Sequence, residues 1–253
     1  MIFSDIRRRP VAAMAMICLV AIGTSLGIWQ LKRAAYKESI AASLQAKEQA
    51  EPLSANAKAW TLNEALHHRM MAKGIYLPTK AIWLENRPHP RGRDPQTGIA
   101  TGFFLLMPLQ LNNQKTIIWV NRGWAPRSFD QLNKVPEVIT PKGEVEVTGV
   151  VFEAAGKTYE LGKDGVGVAS DGLPIQENLD LAKLQQSEGT QQLPFILRQD
   201  ENAIKDGLQR LWASPDSGAE KHLGYAFQWF ALACMSLVFW VVTGLRARSK
   251  SLG

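Results

Sequence analysis

A chain of 253 residues has room for one substantial domain with small additions. Its net charge of +6 would suit a nucleic-acid partner, but the basic residues are dispersed and form no stripe interleaved with aromatics, which argues against that class. Part of the excess lies instead in two clusters, Arg7, Arg8, Arg9 and Arg246, Arg248, Lys250, each abutting an apolar run as membrane flanks do.

The first apolar run carries no charge from Val11 to Leu31. As a helix it measures about 32 Å at ~1.5 Å per residue, matching a hydrocarbon core of about 30 Å. A cleaved signal peptide is the rival reading, since Ala21, Gly23 and Thr24 supply small residues for a weak cleavage site. The run continues past them, so a retained anchor is expected. Trp29 closes it where an amphipathic ring favours the headgroup level. From Ala34 to Ala50 helix formers dominate, predicting that the membrane helix extends outward.

A short Pro- and Ala-containing connection follows, and Thr61 to Ala65 suits a helical turn. The pattern then changes to short strands separated by turn residues. The expected strands are Met71–Tyr76, Ala81–Glu85, Gly102–Leu109, Thr116–Val120, Glu144–Val151 and Phe195–Arg198. Glu144 to Thr148 alternates as a half-buried strand does, whereas Thr116 to Val120 is nearly all apolar and predicts a central strand covered on both faces. Asn112-Asn113-Gln114 reads as a hairpin connection. Pro88 to Gly98 and Gly162 to Pro174 read as loops, and Asn178 to Gln186 as a capped short helix. The second uncharged run spans Leu223 to Leu245, with Tyr225 and Trp229 near its start. Cys18 and Cys234 lie inside the two runs, and no CxxC or CxxxC pair exists for copper, zinc or redox chemistry. The expected class is therefore a membrane protein of α+β type, with two transmembrane helices flanking an antiparallel β-dominated extracytoplasmic domain, either sandwich or partly closed barrel.

Three segments carry more. They are Gly27 to Arg33 (GIWQLKR), Val120 to Pro126 (VNRGWAP) and Lys221 to Phe230 (KHLGYAFQWF). In this order, at both membrane boundaries and around a β-rich insert, they resemble the Surfeit locus protein 1 family, an assembly factor of cytochrome c oxidase. Val151 to Leu193 carries no matching motif.

The resemblance implies a multi-pass protein of the bacterial inner (cytoplasmic) membrane. Residues 1–10 and 246–253 would be cytoplasmic, 11–31 and 223–245 would span, and 32–222 would form a periplasmic (or intermembrane-space) domain. Charge counting favours the same orientation only modestly. The resemblance further implies oxidase subunits as partners, and a role at or near insertion of haem a into the largest of them. It puts a haem-ligating histidine at the position of His222.

On a helix, His222, Tyr225, Ala226 and Trp229 share one face. Imidazole can ligate haem iron, and the neighbouring rings suit an apolar porphyrin in a bilayer. Gln228, Trp29 and Arg33 complete the candidate surroundings, and Lys32, Arg33 and Lys221 stand where propionates would emerge. The competing reading is a histidine hydrogen-bonded to Gln30, Gln228 or a headgroup, pairing the two helices. Trp29 and Arg33, at i and i+4, are spaced for a cation–π contact or for belt anchoring.

At Asn121-Arg122-Gly123-Trp124 a tight turn is expected to leave the sheet, with Gly123 supplying a special backbone angle and Arg122 a buried fork of hydrogen bonds. His67, His68 and His89 are expected at the surface or half-buried. Neither HExxH nor GxSxG accompanies them, and Gly162, Gly165 and Gly167 form no phosphate loop. No enzymatic activity is expected. A scaffold that binds oxidase subunits through its β domain, without haem, is the second functional expectation.

Overall fold

The computed structural model of the protein describes residues 9–112, 115–128, 130–156, 167–188, 191–201, 205–212 and 217–249, with backbone alone for 185–188 and 247–249. It divides into two compact units, Met1–Ser43 with Pro215–Gly253, and Leu44–Ser214. Four α-helices are described: α1 (Pro10–Gln49), α2 (Leu62–Ala65), α3 (Leu181–Glu188) and α4 (Ala219–Ser249). The strands are β1 (Leu53–Ser54), β2 (Arg69–Tyr76), β3 (Ile82–Pro88), β4 (Thr101–Leu111), β5 (Ile117–Pro126), β6 (Glu144–Phe152), β7 (Gly167–Val168), β8 (Pro174–Gln176) and β9 (Gln192–Gln199).

Helix α1 as far as Ser43, together with α4, forms the first unit, and each helix contains a stretch long and apolar enough to cross a membrane. Only 17% of either apolar window is buried, unlike the core helix of a soluble domain. Side chains such as Val11, Phe227 and Phe239 are more than 70% exposed. As expected, α1 runs unbroken through the Ala-, Glu- and Lys-rich segment to Gln49, and Pro52 follows just beyond its end. The two helices meet along small residues. Ala13, Gly23, Gly27, Gln30 and Ala34 are the buried positions of α1. Ala219, Ala226, Ala233 and Trp240 are buried on α4. A Cβ on Gly23 would stand 2.8 Å from the Trp229 carbonyl oxygen, and one on Gly27 would stand 2.6 Å from the Phe230 ring. Gly23 and Gly27 thus form a G-x-x-x-G contact, in which bare backbone permits close helix approach.

The second unit is built on one nine-stranded sheet, ordered β1-β2-β6-β9-β5-β4-β3-β8-β7. An additional pairing of β2 with β4 closes five strands, β2-β6-β9-β5-β4, into a ring. Gly74 pairs Leu111 and Tyr76 pairs Leu109 at the seam. A Cβ on Gly74 would lie 2.1 Å from the Gln110 carbonyl oxygen, so only glycine allows the strands to meet there. Past the seam the chain stays beside β4, because Leu77 donates to Pro108 and β3 then pairs from Leu106 to Thr101. Of the two architectures expected, this is the barrel. The expectation of an antiparallel sheet is corrected: β5 runs parallel to β9, β1 to β2 and β3 to β8, making the sheet mixed.

Alternation along the strands sorts the core. Phe103, Leu105, Met107, Leu109, Ile118, Val120, Phe195 and Leu197 belong to the main core inside the ring. The alternating Leu106, Ile117, Trp119 and Ile196 face outward beneath Leu179 and, from α3, Leu181 and Leu184. This two-sided cover accounts for the continuous apolar run of β5, which is buried from Ile117 to Ala125. At ~25 cal/mol per Å², each such fully buried aliphatic side chain contributes roughly 1.5–3 kcal/mol.

All six expected strands form; four are extended by one or more residues, while β3 and β5 begin one residue later than expected, after Ala81 and Thr116, and run further at their C-terminal ends. Within the region read as a loop from Gly162 to Pro174, Gly167–Val168 is a strand paired to β8, while Gly162 and Gly165 lie outside the described residues. Asn113 and Gln114 of the expected hairpin also lie outside them. The capped helix begins later than expected: Asp180, not Asn178, accepts from the Ala182 and Lys183 amides at 3.1 Å, so the helix is Leu181–Glu188. Thr61 caps α2 through a reciprocal pairing with Glu64.

Candidate functional site

The expected site residues lie at one end of the α1–α4 pair. Gln30 is buried on the α1 face that meets α4, one turn beyond Gly27. Its Oε1 stands 2.7 Å from His222 Nδ1. A carbonyl oxygen only accepts, so in this arrangement Nδ1 carries the proton and the neutral ring keeps its lone pair on Nε2. A histidine held in this way has one fixed tautomer and one nitrogen available to a metal, the usual relation between a metal-bound imidazole and its supporting partner. The ring is half-buried, so it is both anchored and accessible.

The rest of the face is less uniform than helical spacing implies. Ala226 is buried and Trp229 half-buried, and the Trp229 carbonyl oxygen faces Gly23 of α1. Tyr225 is 53% exposed and Gln228 is exposed, placing them on the flank of α4. Trp29 is 55% exposed, on a side of α1 away from the buried stripe. It therefore lies outside the contact between the two helices. Arg33 is exposed too, and its guanidinium lies 5.4 Å from the Tyr36 ring centroid, so its aromatic partner is Tyr36 in place of Trp29. The structure thus joins His222 to Gln30 between the helices and sets Tyr225, Gln228, Trp29 and Arg33 around the outside. Gly23 and Gly27, which bring the two polar groups within reach, were legible only as a G-x-x-x-G spacing in an apolar run.

A second polar cluster closes one end of the barrel. The tight turn expected at Asn121-Arg122-Gly123-Trp124 is corrected: β5 continues to Pro126, and because Leu105 pairs Gly123 and Leu106 pairs Asn121, Arg122 is the extra residue of a β-bulge. Gly123 has φ +144°, and a Cβ there would meet the Gln209 carbonyl oxygen and the Leu208 side chain, each at 2.9 Å. The bulge carries Arg122 into the interior, where it donates to Asp206 at 2.8 Å, Thr140 at 2.7 Å and the Ile139 carbonyl at 3.1 Å. The same Asp206 oxygen also accepts from Arg210. Tyr76 lies beneath, 5.0 Å from the Arg122 guanidinium to its ring centroid. Burial pushes the Tyr76 phenol up to about 12, against the opposing pull of Arg122 and Arg210. This is the buried fork expected of Arg122, and every partner belongs to the fold.

The remaining histidines divide. His67 and His68 are half-buried, as expected, and burial lowers His67 below the usual imidazole range. His89 is instead only 2% exposed, which corrects the surface reading. Its Nε2 meets Gln209 Oε1 at 2.9 Å and its ring stands edge-on to Trp124, with centroids 4.8 Å apart. Trp124 in turn donates to the Arg87 carbonyl at 3.0 Å. His89 therefore fastens the Pro88–Gly98 loop to the barrel.

The fold and the site together define a class: a barrel inserted between two long apolar helices that are joined near one end by a His–Gln pair. The chain belongs to the SURF1 family, whose model matches residues 17–234. It is 25% identical over 239 residues to a SURF1-like protein of Drosophila melanogaster, covering 89% of this chain and 75% of that one. A SURF1-like protein of Rickettsia felis is 28% identical over 234 residues, covering 86% and 90%. Surfeit locus protein 1 of Rattus norvegicus is 22% identical over 233 residues, covering 89% and 73%.

Proposed function

We propose that this protein is a non-enzymatic assembly factor for cytochrome c oxidase that holds haem a at His222 while the largest oxidase subunit is built. In this reading α1 and α4 span the bacterial inner membrane, the termini are cytoplasmic and the barrel is periplasmic. Family membership supports the oxidase role. The observation that carries the haem reading is the 2.7 Å contact between His222 and Gln30.

The residues present fit such a group. Gln30 would fix the imidazole so that Nε2 offers a lone pair, as a ligand of haem iron must. Tyr225 and Trp229 offer apolar ring surface on the same helix, and Lys32, Arg33 and Lys221 are exposed cations near the same end. Haem, when bound, would supply iron with an open site for imidazole and two propionates for these cations. His222 would hold the iron, Gln30 would hold His222, and the close packing at Gly23 and Gly27 would keep that pair aligned.

The test is the absorption spectrum of full-length protein purified from a haem a-producing host. His222→Ala should lose the bound haem, and Gln30→Leu should retain less than the parent with a shifted spectrum. Unchanged haem content and spectrum in His222→Ala would defeat ligation by this residue.

One observation favours a second reading. The His222–Gln30 bond itself ties α1 to α4, as a purely structural pair would. The protein would then serve as a scaffold that binds oxidase subunits through the barrel. Crosslinking to those subunits, with no haem recovered from the parent protein, would select it.

A further inference from the structure

We infer that the end of the α1–α4 pair opposite His222 is a binding site for one anionic phospholipid. The inference rests on the membrane-spanning reading above but not on haem. A groove of about 390 Å³ lies between the helices there, within the size range of small-ligand sites. It exists because Ala12 and Ala15 on α1 present only methyl groups where α4 presents Phe239 and Trp240. Met16 completes the apolar lining, and an unbranched thioether adapts readily to an acyl chain.

The groove has a charged mouth. Arg9 lines it and is half-buried, and its Nη2 donates to the Thr243 carbonyl at 2.8 Å. That bond holds the guanidinium in place while using one of its five N–H donors. A fixed guanidinium with donors to spare suits a phosphate, which it can contact through two parallel hydrogen bonds. Arg246 is exposed one turn beyond Thr243 on the same side of α4, adding a second cation nearby. An apolar groove with a cation at its mouth calls for an amphiphile with a negative head. Charge complementarity therefore selects an anionic phospholipid over a zwitterionic one or a peptide.

The experiment uses the full chain in bilayer discs of equal parts phosphatidylglycerol and phosphatidylethanolamine, released into native mass spectrometry. One retained phosphatidylglycerol per chain is expected, favoured about fivefold, roughly the factor one basic side chain is worth at a membrane surface. Arg9→Gln should remove the preference, Arg9→Lys should keep most of it, and Arg7→Gln should leave it intact. Ala15→Phe, which fills the groove, should reduce retained lipid of either head. Equal retention of the two lipids would overturn the site. So would an Arg7→Gln loss as large as that of Arg9→Gln, because the preference would then belong to the basic terminus as a whole. Alkaline carbonate washing of the parent membranes separates the failures: release of the protein would sink the spanning reading, whereas retention without lipid preference would sink this inference alone.

Discussion

Asp206 is the residue on which the barrel end turns, since one buried carboxylate answers two guanidiniums. Removing it strands both charges. Asp206→Ala should therefore destabilise the protein by about 3–5 kcal/mol, measured by denaturant unfolding in detergent. Arg122→Met should cost less, because it conserves volume and leaves Asp206 paired with Arg210. If Asp206→Ala proved the milder of the two, the cluster would not be held by this carboxylate. Tyr76 adds a pH signature. Its folded pKa, near 12, exceeds the ordinary value of 10, so between these pH values the unfolded chain has lost a proton that the folded chain keeps. Stability contributed below pH 10 should therefore fall as pH rises through that window. Phenolate absorbance followed in the parent and in Tyr76→Phe should show one tyrosine titrating near 12 in the parent alone. At this scale the sequence was partly legible. The chemistry of arginine and glycine pointed to a fork and a special backbone angle at Arg122-Gly123, although the feature is a bulge within β5 and not a turn out of the sheet. Nothing marked Asp206 as the partner, because it lies in a segment without periodicity, and nothing marked His89 as buried.

At the level of elements, the strands were legible because alternation and turn residues are local signals. Their partners were not. A strand buried on both faces shows the same apolar run whether its neighbour is parallel or antiparallel, so the parallel pairing of β5 with β9 left no trace in either segment. The helix pair shows the opposite case: its contact was written plainly as Gly23-x-x-x-Gly27, but a span read for length and charge yields only a membrane anchor. The two glycines differ in what they face. Gly23 meets backbone, which cannot move aside, whereas Gly27 meets the Phe230 ring. Gly23→Val should therefore separate α1 from α4 whatever else is changed, while Gly27→Ala should be rescued by Phe230→Leu. Thiol crosslinking between cysteines introduced at Gln30 and His222, which are in contact, with Cys18 and Cys234 replaced by alanine, would read this out. Rescue of Gly23→Val by Phe230→Leu would contradict the assignment.

Across the whole molecule, the ring of five strands has a consequence for how the chain is made. β9 sits between β5 and β6 and is the last strand in sequence. Until Gln192–Gln199 has left the ribosome, β5 and β6 each present a bare edge, and closure must wait for contacts of long sequence separation. Such edges recruit other strands, so any pause or truncation upstream of β9 exposes the nascent chain to aggregation. The second apolar helix follows soon after β9. In the membrane-spanning reading proposed above, the barrel's last opportunity to complete itself and the insertion of α4 therefore fall close together in synthesis. A chain that stops short of β9 forfeits both.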